Sequence, residues 1–239
     1  MRRFLWLVLL SLCRLAFAQT GDPGARRVEQ FEVEGVSRLA ALAKLGALTQ
    51  TSLLVEAGSL PFLQTPVTLS SRNSTVDILI ASILHGHERY LIRHRGSLVI
   101  LSPAHPALPL NRILTVPLGT FSFTGDSLSS LSPYLEFYIR RATGCQPSGY
   151  GYVGPALRLA IPPIKLKSAT FESVVARVAE APEPIMWVVE PDSGEHGCIG
   201  HPASHWEVGL YRTDRLLISS QTPLRASIGP ELVNNRRGR

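Results

Sequence analysis

The sequence predicts an α+β fold of two small βαββαββ modules, in each of which two helices cover one face of a mixed sheet. Three observations lead to this prediction. In short segments such as 31–36, apolar and polar residues alternate as in a half-buried strand. In longer segments such as 39–48, apolar residues recur every three or four positions, as on one helix face. This order of segments occurs twice, on either side of a proline-rich stretch at 103–112.

The first module covers residues 29–102. Ser37 and either Asn73 or Ser74 precede its two helical segments, and such residues cap helices because their side-chain oxygens accept bonds from free amides. Glycine and prolines within 58–66 indicate a loop between the second and third strands. The predicted strands of this module are at 31–36, 51–56, 67–70, 89–93 and 98–101.

The second module covers residues 113–218 and follows the linker at 103–112, whose three prolines favour a stiff, extended chain. One helix is predicted over 128–139, with Pro133 in its first turn, and another begins after Thr170. The predicted strands are at 113–118, 157–161, 164–167, 185–189 and 206–211, and the predicted long loops are at 144–155 and 191–204.

The two modules share a layout that favours a duplicated unit. Segments 67–79 and 164–174 align directly as a strand, a small polar cap and an aliphatic helix. Because the helices are expected on one face of each sheet, the other face and the edge strands remain open to partners. Residues 219–239 show no clear period and are expected to form a flexible tail.

The N-terminus has the parts of a secretory signal peptide. Arginines at positions 2 and 3 precede an apolar run at 4–13, and small residues at 16 and 18 predict cleavage between Ala18 and Gln19. The run is about ten residues long, whereas a membrane span needs roughly 20, although an uncleaved anchor is the alternative. We therefore expect residues 1–18 to be removed, 19–28 to lead into the first module, and the mature chain to be periplasmic or secreted without a transmembrane segment.

Charge and cysteine content further restrict the class of protein. The formal net charge is +6, and it falls to about +3 once the three arginines of the signal peptide are removed. This bias is too weak to indicate a nucleic-acid partner. Cys145 and Cys198 remain, and in an oxidising compartment they predict one disulfide that closes a loop of about 50 residues. Two unpaired thiols are the alternative.

Aliphatic residues recur at characteristic positions through the first module. They lie in Phe31-Glu32-Val33, Leu39 to Leu45, Leu53-Leu54-Val55-Glu56, Val67-Thr68-Leu69, Thr75 to Leu84, Arg89 to Ile92 and Leu98-Val99-Ile100. This pattern over 29–102 resembles the secretin and TonB N-terminal short domain, and a fainter second copy runs over 164–211. The resemblance implies a periplasmic, non-enzymatic interaction domain whose partner is a cell-envelope protein such as a secretin or TonB-system component. Since neither a secretin core nor a barrel follows, we expect a stand-alone protein.

One tetrapeptide suggests an enzyme as an alternative. Gly125-Asp126-Ser127-Leu128 matches the GDSL motif of a hydrolase family, in which the serine is the nucleophile. A nucleophilic serine needs a base that a third group orients, and the late Asp-x-x-His of that family is missing. We interpret Asp126 or Ser127 as the N-cap of the next helix, and we predict neither a catalytic residue nor a cofactor.

A second alternative is a metal-binding protein that uses the 195–205 loop. His196, His201 and His205 lie near Cys198, and these residue types are good zinc or copper ligands. If Cys198 forms a disulfide, however, its sulfur is not free to bind a metal. The histidines are then incidental members of a polar loop.

Four aromatic residues are the candidate binding residues. Tyr150 and Tyr152 lie in the Gly/Tyr-rich loop, where aromatic rings could stack on a sugar or contact a peptide. Trp187 and Trp206 lie on the two strands of the last hairpin, either as cross-strand core partners or as a ligand platform. The sequence as a whole predicts recognition of a protein partner through loops and exposed sheet edges, including strand addition.

Overall fold

The computed structural model confirms the α+β class. It describes residues 22–57, 60–86, 89–104, 114–125, 127–143, 149–152, 160–192 and 205–212. The strands are β1 (Arg27–Ser37), β2 (Ser52–Glu56), β3 (Pro66–Thr75), β4 (Tyr90–Arg95), β5 (Leu98–Pro103), β6 (Pro117–Phe123), β7 (Gly149–Tyr152), β8 (Ile164–Thr170), β9 (Ile185–Asp192) and β10 (His205–Arg212). The helices are α1 (Arg38–Thr49), α2 (Leu60–Gln64), α3 (Val76–Ile83), α4 (Leu128–Thr143) and α5 (Phe171–Val178), and a 3-10 turn covers Pro23–Ala25.

The two halves of the chain share one sheet instead of having one sheet each. Its strand order is β4-β5-β2-β9-β10-β7, so each half contributes three adjacent strands, and β2 pairs in parallel with β9 at the junction. The remaining strands form two antiparallel ribbons, β1 with β3 and β6 with β8. The two halves contribute similar groups of strands to the shared sheet. In the first half, the β4–β5 hairpin pairs with the earlier strand β2, and in the second half, the β9–β10 hairpin pairs with the earlier strand β7.

Both faces of the central strands are covered, so the expectation that helices leave one face open is wrong. Leu53 and Val55 pack in a core with α1, α3 and β1 of the first half. Leu54, on the opposite face of β2, packs in a second core with α4, α5 and β6 of the second half. All five residues of β2 are buried. A strand that is buried on both faces has a continuous apolar run, and Leu53-Leu54-Val55 is such a run.

The predicted caps of α1 and α5 are confirmed, and the predicted cap of α3 is wrong. The Ser37 hydroxyl accepts a hydrogen bond from Ala40 N at 3.1 Å, and Thr170 forms a capping box with Ser173. In the first half, β3 runs past Asn73, and Thr75 caps α3 instead of Asn73 or Ser74. Asn73 lies within β3 and has a φ of 53°. Asparagine tolerates this left-handed conformation, so it does not end the strand.

Other boundaries differ from the predictions where local signals were weak. The short helix α2 occupies the predicted loop at 58–66, and β6 begins at Pro117 although a strand was predicted from residue 113. Pro133 is the sixth residue of α4 and not part of its first turn. Pro103 ends β5 and so is not part of the linker. Of the predicted strand at 157–161, the described part shows one bridge, from Ala160 to Ser127.

Several predictions concern segments that lie outside the described residues. These include the signal peptide at 1–18, most of the linker, the greater part of the 191–204 loop and the tail at 219–239. Among the helices that are described, none is sufficiently long and apolar to span a membrane.

Candidate functional site

Strand β4 lies at one end of the shared sheet, and its outer edge is the centre of the candidate site. It pairs with β5 as an antiparallel hairpin, with Leu91 opposite Ser102 and Arg95 opposite Leu98. Gly96, with a φ of 59°, begins the two-residue turn that closes the hairpin. Among the described strands, none pairs with the other edge of β4. An end strand of this kind has a row of backbone donors and acceptors that another chain can use.

The backbone groups that face outward from β4 follow from the hairpin register. Ala104 N donates a hydrogen bond to Arg89 O at 2.7 Å, so this pair exchanges bonds across the hairpin. In antiparallel pairs, bonded and non-bonded positions alternate, which directs the amide and carbonyl groups of Ile92 and His94 away from β5. A strand added at this edge would use these groups.

A cleft of about 300 Å³ adjoins β4 on the face that the second half covers. We call it the arginine cleft. It is lined by Leu91, Arg93, Ser102, Pro103, Ala104, Leu114 and Thr115. Both halves therefore contribute to its wall, and Leu91, whose exposed fraction is 50%, stands at its mouth.

One wall residue of the arginine cleft, Ser102, is buried next to a second buried polar residue, Glu56. Ser102 is 4% exposed and Glu56 is fully buried, and they occupy neighbouring places at the ends of the parallel strands β5 and β2. Burial raises the pKa of Glu56, and a side-chain hydrogen bond with Ser102 and the charge of Arg93 offset this effect only in part. The contact between these two side chains falls outside strict hydrogen-bond geometry, so the bond between them is weak.

A single carboxylate is shared by two guanidinium groups next to the cleft. Glu172, in the first turn of α5, lies 2.9 Å from Arg95 and 3.4 Å from Arg93, measured between nitrogen and oxygen. The Glu172 side chain is buried, whereas both arginine side chains are nearly half exposed. The arginines therefore carry one positive charge more than Glu172 neutralises, and they present it beside the cleft.

A second cleft of about 300 Å³ adjoins β4 on the opposite face of the sheet. We call it the opposite cleft. It is lined by Ala81, Leu84, His85, Gly86, Arg89, Tyr90 and Ile92. Because side chains alternate along a strand, Ile92 points to this cleft while its neighbours Leu91 and Arg93 point to the arginine cleft. The same edge strand is thus bordered by a cleft on each face.

His94 attaches the first described segment to the outer end of β4. Its Nδ1 lies 3.2 Å from a carboxylate oxygen of Asp22, and its Nε2 lies 3.1 Å from one of Asp77. Gly24 packs so closely against His94 and Asp77 that a Cβ atom at this position would overlap both. The segment at 22–26 is thereby held next to the candidate site.

The four predicted aromatic binding residues lie on three adjacent strands, and one of them, Trp187, is in the core. Trp187 is 1% exposed, and its place in the core excludes it from a ligand platform. In the β9–β10 register it pairs with Leu210, whereas Trp206 pairs with Pro191, so the two tryptophans are not cross-strand partners. Tyr150 and Tyr152 belong to β7, which pairs in parallel with β10, so this part of the predicted loop is a strand.

The residues of the two alternative functions are only partly described. His196, His201, Cys145 and Cys198 lie outside the described residues, and so does the proposed disulfide. His205 begins β10 opposite Asp192. Ser127 directly precedes α4, where its carbonyl accepts bonds from Ser130 N and Leu131 N at 3.1 Å, as expected for an N-cap residue. Its hydroxyl shares a hydrogen bond of 2.9 Å with Ser130 Oγ.

Sequence reasoning missed the arginine cleft, although one signal was available. Glu56 directly follows the apolar run Leu53-Leu54-Val55, and an acidic residue at the end of a fully buried strand indicates an unusual environment. The cleft also needs Leu114 and Glu172 from the second half, and no local pattern connects these residues to β4.

Comparison of the chain with family models, with curated proteins and with solved structures finds no match in any of the three.

Proposed function

We propose that this chain is an exported, non-enzymatic interaction protein of the cell envelope, which binds an extended segment of a partner protein at β4. The partner is a component of a secretin or TonB system. Export is supported by the charged and apolar pattern of residues 1–18, and the class of partner by the resemblance of residues 29–102 to the secretin and TonB N-terminal short domain.

The observation that carries this proposal is the presence of a cleft on each face of one end strand. In strand addition, main-chain hydrogen bonds hold the new strand, and its side chains point alternately to the two faces of the sheet. A segment added to β4 would therefore place successive side chains in the arginine cleft and in the opposite cleft. Backbone groups at Ile92 and His94 would supply the hydrogen bonds.

The order of elements in the first half also supports the proposal. Apart from the short helix α2, the chain follows the order strand, helix, strand, strand, helix, strand, strand that the resemblance implies. The exposed part of the hairpin carries two arginines, Arg93 and Arg95. Charges on an edge strand hinder pairing with a second copy of the same edge, and they leave it available to a partner of opposite charge.

Site-specific photocrosslinking in the native envelope tests this proposal. A benzoylphenylalanine at Leu91, which is 50% exposed, should crosslink to one partner protein, whereas the same group at Ile78 on α3, which is 56% exposed, should not. Ile92→Pro removes an outward amide but no hairpin bond, so it should abolish the crosslink without unfolding the protein. A crosslink that is equal at both positions, or that persists in the proline variant, would contradict strand addition at β4.

A further inference from the structure

The ring of His94 lies between two carboxylates that come from separate elements. Its Nδ1 is 3.2 Å from an oxygen of Asp22, and its Nε2 is 3.1 Å from an oxygen of Asp77. A neutral imidazole carries a single N–H, so it can donate a hydrogen bond to only one of these carboxylates. At its other nitrogen, a lone pair would face a carboxylate oxygen. The protonated ring, with an N–H on each nitrogen, is therefore the form that bonds to both.

Asp77 depends on His94 for its pairing. It lies in the first turn of α3, where the helix dipole favours a negative charge. Its second oxygen is buried and has no hydrogen bond to the described residues. Within the same part of the chain, no arginine or lysine forms an ion pair with Asp77 or Asp22. The positive charge of the His94 ring is thus the one that these two carboxylates share.

The other charged groups near this cluster point elsewhere. Arg26 donates to the carbonyl oxygens at the end of α1, and Arg93 and Arg95 pair with Glu172 on the opposite face of the sheet. Strand β5 and the 3-10 turn also pack here, and they contribute no titratable side chain of their own. The protonation of His94 consequently decides whether the cluster is held together.

We propose that His94 is a pH switch that controls the attachment of residues 22–25 to α3 and β4. While the ring is protonated, it bonds to Asp22 and Asp77 and holds the 3-10 turn in place. When the ring loses this proton as the pH rises, one of the two bonds is lost and repulsion replaces it, so the turn is released. Ordinary histidine side chains change their charge between about pH 5 and 8.

Arg26 limits the part of the chain that the switch releases. Its carbonyl oxygen accepts a hydrogen bond from Val76 N at 3.0 Å, and its guanidinium donates to Thr49 O at 2.7 Å. Neither bond involves His94. Release therefore ends at Arg26 and leaves β1 in place. The switch uses side chains on one face of β4 and not its free edge, so it goes beyond the proposed function.

NMR of the isotope-labelled, full mature chain tests the switch. The ring signals of His94 report its protonation, and the heteronuclear NOE of the Gly24 and Ala25 amides reports whether the turn is attached. The titration starts at about pH 5.5, where ordinary carboxyl groups are ionised, and continues until the ring is neutral. We expect both NOE values to fall with the same midpoint as the ring signals. The ratio of attached to released turn should fall about tenfold.

Two variants assign this change to His94. The amide of His94→Gln carries no positive charge, so Gly24 and Ala25 should be mobile throughout the titration. His85→Gln, which replaces an exposed histidine beyond the end of α3, is the matched control and should behave as the wild type does. The Val76 amide, which bonds to the end of the segment, should stay rigid in both variants and shows that the fold is retained.

Three results would overturn the proposal. The first is that Gly24 and Ala25 stay rigid in the wild type after the His94 ring has become neutral. The second is a ring that is already neutral at about pH 5.5 while the turn is attached. The third is a pH-dependent loss of rigidity that persists in His94→Gln. The first two come from the wild type alone, so they apply even if His94→Gln does not fold.

Discussion

The backbone amide of Ile185 donates a hydrogen bond to the hydroxyl of Ser52 at 3.2 Å, across 133 residues of sequence. Both residues are buried at the start of the strands that join the two halves, β9 and β2. This bond aligns the parallel junction from which the six-stranded sheet is built. Because the junction is buried, we expect the two halves to unfold as one cooperative unit.

Ser52→Ala tests the junction directly. The substitution leaves the buried amide of Ile185 without its acceptor, so the free energy of unfolding should fall by about 1–3 kcal/mol. Urea denaturation measures this change. Ser82→Ala, which removes a hydroxyl bonded to Ile78 O on the exposed side of α3, should change stability by less than about 0.5 kcal/mol. Equal effects of the two substitutions would contradict the role of Ser52.

Leu54→Ala tests whether the first half completes the core of the second. Leu54 is fully buried and packs in the cluster that contains Phe171 and Val174 of α5. The cavity should lower the free energy of unfolding by about 2–5 kcal/mol. Hydrogen exchange in α5 should report the same loss, because the protein should unfold in a single transition. Ile78→Ala, at an exposed position, should have little effect. Two separate transitions, with α5 unaffected, would show that the halves are independent.

The buried carboxyl of Glu56 predicts a pH dependence of stability. Its pKa is raised above the ordinary value of 4.5, so the folded state retains the proton more strongly than the unfolded state. The stabilisation from this proton is complete below 4.5 and is lost as the pH rises through the raised native pKa. Glu56→Gln cannot lose the proton, so its stability relative to the wild type should increase over this window.

Urea denaturation at a series of pH values measures this difference between Glu56→Gln and the wild type. Glu34→Gln, which replaces an exposed carboxyl on β1, is the control and should follow the wild-type pH dependence. A stability difference between Glu56→Gln and wild type that stays constant with pH would contradict the raised pKa of the buried Glu56 carboxyl.

Gly24→Ala should release the first described segment from β4. The added methyl group would overlap the side-chain ends of His94 and Asp77, so these side chains or residues 22–26 must shift, which disturbs the contact between them. The amides of Ala25 and Arg26, which bond within the 3-10 turn, should then exchange faster by NMR, while global stability changes by about 1 kcal/mol or less. Gly35→Ala is strained by a φ of 60° but uncrowded, and it should leave these amides unchanged. Unaltered exchange in Gly24→Ala would contradict the attachment.

Local sequence patterns predicted the elements better than their assembly. The period of α1 and the cap at Ser37 are local signals, and so are the two hairpins, because turn residues and strand propensity lie within a few positions. The pairing of β2 with β9 could not be predicted from local sequence, since an apolar strand such as β2 carries no signal that selects one apolar partner strand over another. For the same reason, the covering of the second sheet face was missed.

The candidate site was hardest to predict because it combines distant residues. Arg93 and Ser102 are close in sequence across one hairpin, but Glu56 and Glu172 come from different parts of the chain. The sequence indicates Trp187 as a candidate ligand contact, whereas in the structure this side chain fills the core. Burial decides between these two roles, and a single sequence does not specify which residues are buried.

Hydrogen exchange at β4 tests the central claim most directly. In the free protein, the outward amides of Ile92 and His94 should exchange faster than those of Leu91 and Arg93, which bond to β5. When a synthetic nine-residue peptide of alternating valine and threonine is bound, Ile92 and His94 should become protected while Leu91 and Arg93 change little. If the peptide binds and these two outward amides still exchange freely, no strand has been added at β4, and the account is wrong.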